Sequence, residues 1–176
     1  IVGDLVMHIL DVPLIVIMYY LLKPVDRLLA LVATVANVVQ TAVLAANKLT
    51  LVVPLLLLQK PGDIHASTWE ATLSFLAIRL HGYGFGIGLL FFGVACLVRG
   101  YLVFRLTYFP RTLGVLLALA GLAYLVNSVA LLLAPSVAAK LFPAILAPAL
   151  VGEGAFCLWL LVKGVDQSAW ERRLVD

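Results

Sequence analysis

The stretch HGYGFGIGLLFFGVACLVRGYLVF, His81 to Phe104, decides the fold, because its glycines admit three incompatible readings. A dinucleotide-binding loop needs a strand, Gly-x-Gly-x-x-Gly spacing and a following helix. Here Gly82, Gly84, Gly86 and Gly88 recur at every second position, and no strand pattern precedes them. Gly-Tyr-Gly also occurs in potassium-channel filters, where a re-entrant loop offers its carbonyls to the ion. His81 stands where that filter has threonine and valine, and the run continues straight into a long apolar segment. The helical reading fits better. At 100° per residue Gly82, Gly86, Gly93 and Gly100 share one face, with Gly84 and Gly88 beside them. The next apolar run carries Gly114, Gly121 and Ser128 at intervals of seven, which predicts an antiparallel helical hairpin with its backbones in close contact.

The surrounding composition places that hairpin in a membrane. The chain of 176 residues is 64% hydrophobic and 12% charged, against about 45–50% and about 25% for soluble domains. Its mean hydropathy is +1.14. The net charge of +3 is spread between apolar runs, so the expected partner is the lipid bilayer, joined by other membrane subunits or further copies of the chain, and no nucleic acid. Cys96 and Cys157 lie inside apolar runs without metal or redox spacing and read as packing residues.

An all-α bundle follows, with five spans at about 1–22, 28–58, 82–104, 112–134 and 144–165, all but the second near the ~20 residues needed to cross the hydrocarbon. Residues 68–80 have the mixed polarity of an interfacial helix or an extension of the third span, with Ser67 or Thr68 as its cap before Glu70. The second run is long enough to require tilt, a kink near Pro54 or an overhang. One domain covers 1–165, and 166–176 is a polar tail. The chain opens at Ile1 directly on an apolar run, so a preceding segment is expected upstream.

Lys23, Arg27, Arg99, Arg105, Arg111, Lys163, Arg172 and Arg173 fall on one side, against Lys60, Lys140, Lys48 and Arg79 on the other. Basic loops are retained in the cytoplasm, so the C-terminus is expected inside and Ile1 outside.

Polar residues inside the spans mark the candidate site. Asp4, His8 and Asp11 form one stripe on the first helix; Asn37, Gln40 and Lys48 lie on the second; His81 opens the third; and Glu153 sits between two glycines on the fifth. Read together they suggest one outward-facing polar cavity for a small or amphipathic ligand. The alternative is that they serve only as interhelical bonds, which buried polar groups also form. No metal signature is present, a bis-imidazole haem would have to draw on His8 and His81, and Ser67 with His65 does not make a nucleophile and base. Neither a cofactor nor an enzymatic activity is therefore expected.

The segments KPVDRLLALVATVANVVQTAVLAANKL (from Lys23), HGYGFGIGLLFFG (from His81), GYLVFRLTYFPRTLGVLLALAGLAYL (from Gly100) and GEGAFCLWLLVKGV (from Gly152) together resemble the bacterial membrane proteins grouped as domain of unknown function 4386. That resemblance implies a six-helix protein of the bacterial inner membrane with one helix upstream of Ile1. It also implies that relatives often carry arginine and glutamate near Asn37 and Gln40, and it implies no activity.

Overall fold

The computed structural model of the chain describes residues 1–58 and 67–175, all of it helix and connecting turn. Lys60 and His65 lie outside the described residues. The helices are α1 (Val2–Leu22), α2 (Arg27–Asn47), α3 (Val52–Leu58), α4 (Thr68–Arg105), α5 (Arg111–Leu133), α6 (Pro135–Leu141), α7 (Ala147–Val162) and α8 (Gln167–Val175). Among the described residues, five helical segments are long and apolar enough to cross a membrane: Val2–Leu22, Arg27–Leu58, Thr68–Arg105, Arg111–Leu133 and Ala144–Val162.

Residues 68–80 and the third span form one unbroken helix of 38 residues. Its start is set by a capping box. The Ser67 hydroxyl accepts from the Glu70 amide at 3.3 Å, while the Glu70 carboxylate accepts from the Ser67 amide at 3.0 Å. Ser67→Ala should cost about 1 kcal/mol, confined to this end. Hydrogen exchange at residues 69–71 should rise while residues 90–100 stay unchanged, and equal acceleration throughout would show that the cap is not local.

The second run changes character where its sequence predicts strain. Pro54 has no N–H and its ring crowds the carbonyl four residues back. Accordingly Lys48–Leu51 winds as a 3-10 turn between α2 and α3. The last apolar run ends at Gly164, whose φ of 67° requires glycine, and its amide bonds back to the Trp159 carbonyl at 3.1 Å. The polar tail is helical too. The Asp166 carboxylate caps α8, accepting from the Ser168 hydroxyl at 2.7 Å and the Ala169 amide at 3.0 Å. The Ser168 bond, then the Ala169 amide, hold its carboxyl below the ordinary range. Because the folded value is the lower one, the cap persists above about pH 4 and disappears only as pH falls through the lowered value. Amide protection in α8 should therefore survive mild acid, and fraying between pH 5 and 6 would refute the capping role.

Across the bundle the order is α1, α2, α4, α5, α7, with α4 packed against both α2 and α5. The α4–α5 pair meets backbone to backbone. A Cβ built on Gly100 would lie 2.7 Å from the Gly114 carbonyl oxygen, and one on Gly121 2.7 Å from that of Gly93. Gly86 faces Leu131, whereas around Gly82 there is open space. Gly84 abuts the Asn47 side chain and Gly88 abuts Leu44, so that second row of glycines receives α2 rather than α5. The core gathers at the end where α1 finishes and α5 begins, around Leu22, Leu102, Val103, Phe109, Leu113 and Phe156. There the Tyr108 hydroxyl donates to the Leu21 carbonyl, tying the α4–α5 turn to α1.

Candidate functional site

The polar residues singled out in the sequence fall into separate contacts. Lys48 Nζ meets Asp4 Oδ2 at 3.2 Å, joining the start of α1 to the end of α2. His8 Nδ1 stands 3.7 Å from Asp11 Oδ2 on the same helix, and neither ring nitrogen of this buried histidine has a hydrogen-bond partner. Asn37 donates to Gln40 Oε1 at 2.7 Å, with the Thr41 hydroxyl 3.3 Å from the same oxygen, so these buried groups satisfy each other within α2. His81 Nδ1 lies 3.1 Å from the Thr50 hydroxyl, and its carbonyl accepts from Asn47 Nδ2 at 2.9 Å, bridging α4 to α2. Thr50 is free to reach His81 because the 3-10 turn before Pro54 carries it.

Glu153 belongs to a different place. Gly152 has no side chain, and a Cβ there would lie 2.5 Å from the Leu116 carbonyl oxygen, so α7 closes tightly on α5. The next residue thereby reaches Tyr124, whose hydroxyl donates to Glu153 Oε1 at 2.6 Å. The helix is continuous through this Gly-Glu-Gly triplet. Tyr124 in turn packs its ring on Phe92, with centroids 5.4 Å apart. Tyr124→Phe keeps that ring contact and removes the hydrogen bond, which for bonds between membrane helices averages about 0.6 kcal/mol and reaches about 1.7. Thermal unfolding in detergent should show a small loss of stability, and an unchanged midpoint would mean that Glu153 finds another donor at no cost.

Glu153 lines a cleft of about 340 Å³ together with Arg99, Cys96, Phe92, Met18 and Cys157. The cleft has α1 and α7 as its sides and α4 and α5 as its floor. Arg99 is absent from the eight candidates, because the sequence weighs it only as a charge on one side of the membrane. It lies within α4, as its place in the 82–104 span predicts, and its Nη2 is buried without a hydrogen-bond partner. The signal is its position between apolar residues inside the run that ends at Phe104. Both cysteines read as packing residues line this cleft, Cys96 buried and Cys157 exposed. Of the eight candidate ligand residues, only Glu153 lines the cleft itself.

A larger cleft of about 510 Å³ lies towards the other end of α4, lined by Arg79, Gly82, Tyr83, Asn127 and Phe142. None of the eight candidates lines it. Its cation is exposed and stacks on the Phe75 ring, 5.7 Å from the centroid. An exposed cation already in contact with an aromatic face demands no ligand, whereas a guanidinium with a buried nitrogen that has no acceptor does.

Length, hydropathy and the outward display of apolar side chains define the class: an all-α bundle of the membrane type. Leu133, Leu150, Leu161 and Val162 are each more than three-quarters exposed, a surface that water does not tolerate on this scale. The chain belongs to the DUF4386 family, described as a domain of unknown function, whose model matches residues 1–164. An uncharacterized protein of Archaeoglobus fulgidus is 27% identical over 164 residues, covering 93% of this chain and 83% of the relative. No solved structure matches the chain.

Proposed function

We propose that this is a multi-pass protein of the cytoplasmic membrane, without enzymatic activity, that takes an amphipathic ligand from the bilayer into the cleft between α1 and α7. The observation that carries the reading is Arg99, a permanently charged group with a buried, unpartnered nitrogen in a cleft that is apolar apart from Arg99 itself and Glu153. Charged groups at such depth are expensive and usually functional. The outer contacts, Asp4–Lys48 and Asn47–Thr50–His81, act as interhelical ties instead of lining an outward-facing cavity. Apart from Arg99, the one-sided set Lys23, Arg27, Arg105, Arg111, Lys163, Arg172 and Arg173 favours a cytoplasmic C-terminus. Those same ties favour a second reading, a structural subunit of a larger membrane assembly whose polar groups only join helices.

Native mass spectrometry of the gently extracted protein separates the two. Ligand binding predicts a chain or homo-oligomer travelling with a stoichiometric amphipathic mass that is lost in the Arg99→Met/Glu153→Leu double variant. Co-migration with other membrane polypeptides, and no such mass, would overturn it in favour of the subunit.

A further inference from the structure

We infer that the group bound in this cleft is the headgroup of a zwitterionic phospholipid, its phosphate on Arg99 and its ammonium on Glu153, with the acyl chains left in the bilayer. The inference rests on the amphiphile reading above and adds the chemistry of the head.

Arg99 supplies the demand for an anion. A guanidinium stays protonated in proteins and offers donors that suit a phosphate, and Nη2 has no acceptor within the protein. Glu153 supplies the opposite demand. It lines the same cleft from another helix, and the ion pairs among the described residues do not include one between it and Arg99. The two charges therefore flank open space instead of cancelling in contact. A simple anion seated on Arg99 would share the cleft with the Glu153 carboxylate. A simple cation seated on Glu153 would face Arg99. A head carrying both charges a few bonds apart meets each with its complement, and charge-assisted hydrogen bonds of this kind are the strong ones.

The route of entry fixes the source as lipid rather than a soluble metabolite. The rim includes Leu14, 48% exposed, and Leu161, 77% exposed, on helices long and apolar enough to cross a membrane. The mouth thus opens sideways onto acyl chains. The volume of about 340 Å³ is near the lower end for small-molecule sites, which suits a headgroup whose chains stay outside.

The purified full chain would be photolabelled with diazirine analogues of phosphatidylethanolamine and phosphatidylglycerol of equal acyl length, and retention of the unmodified lipids compared by native mass spectrometry. Adducts are expected on Leu14, Met18, Cys157 or Leu161, with phosphatidylethanolamine retained about tenfold over phosphatidylglycerol. Glu153→Gln should erase that preference, and soluble glycerophosphoethanolamine should not compete. Labelling at the cleft with phosphatidylglycerol equal or preferred would overturn the zwitterion while leaving the amphiphile site intact. Displacement by the soluble head would overturn the lipid source. Absence of adducts from the cleft in the unmutated protein would remove the site and the proposal together.

Discussion

Gly114→Val should leave no folded, monodisperse protein after extraction. A Cβ at position 114 would sit 2.5 Å from the Phe104 backbone nitrogen and 2.6 Å from the Gly100 carbonyl oxygen. Both obstacles are main chain in the opposing helix, so no rotamer change relieves them, and α4 and α5 must move apart. Overpacking where side chains can adjust costs about 1–3 kcal/mol; here the effect should be at or above the top of that range. Helices in lipid gain nothing from burying apolar surface against each other, so lost van der Waals contact is not recovered elsewhere. Gly93→Leu should also disrupt the pair, since its Cβ would lie 2.9 Å from Leu125 Cγ and 3.0 Å from the Gly121 oxygen. Gly82→Ala is the control, because nothing lies within 4 Å of a Cβ there. Removing a helical glycine should stabilise by about 0.5–1 kcal/mol. Size-exclusion profiles and thermal midpoints of the three variants should rank accordingly, and a monodisperse, heat-stable Gly114→Val would contradict the backbone contact.

Glu153→Leu is the second large effect. It deletes the carboxylate closest to balancing Arg99 within the cleft and strands Tyr124's hydroxyl, which now donates to Glu153 at 2.6 Å. Losing the Tyr124–Glu153 bond leaves that hydroxyl without its acceptor, which costs about 1–3 kcal/mol, and the Arg99 charge loses the opposite charge that shares its cleft. Adding Arg99→Met removes that stranded charge. The double variant should therefore be more stable than Glu153→Leu alone, with a coupling of at least about 1 kcal/mol, as expected of residues that share a site. Additive losses would show that Arg99 and Glu153 do not feel each other.

The legible and illegible parts divide along physical lines. The apolar runs and the all-α bundle follow from composition and length, which act locally. Pro54 and Ser67 announce a tightened turn and a cap through their own backbone chemistry, and Lys48–Leu51 and the start of α4 respond to them. The site is different, because depth along a helix does not say which face meets which neighbour. Asn37 and Gln40 look like ligands for something across the bundle, yet three residues apart on one helix they bond each other. Arg99 falls inside the 82–104 run, yet in the sequence it counts only as a charge on one side, because nothing in the run says that its Nη2 ends buried beside a cleft. Tyr124 gave no signal, since its role depends on how closely Gly152 lets α7 approach.

One further property belongs to α4 as a solid body. His81 and Arg99 are separated by eighteen residues, five full turns or about 27 Å, and so stand on the same side of a helix that runs from Thr68 to Arg105 without a break. Torque applied anywhere along such a shaft is felt along its whole length. Any rotation that swings His81 away from Thr50 also swings Arg99 within the cleft, and a headgroup gripping Arg99 would resist that rotation at both ends.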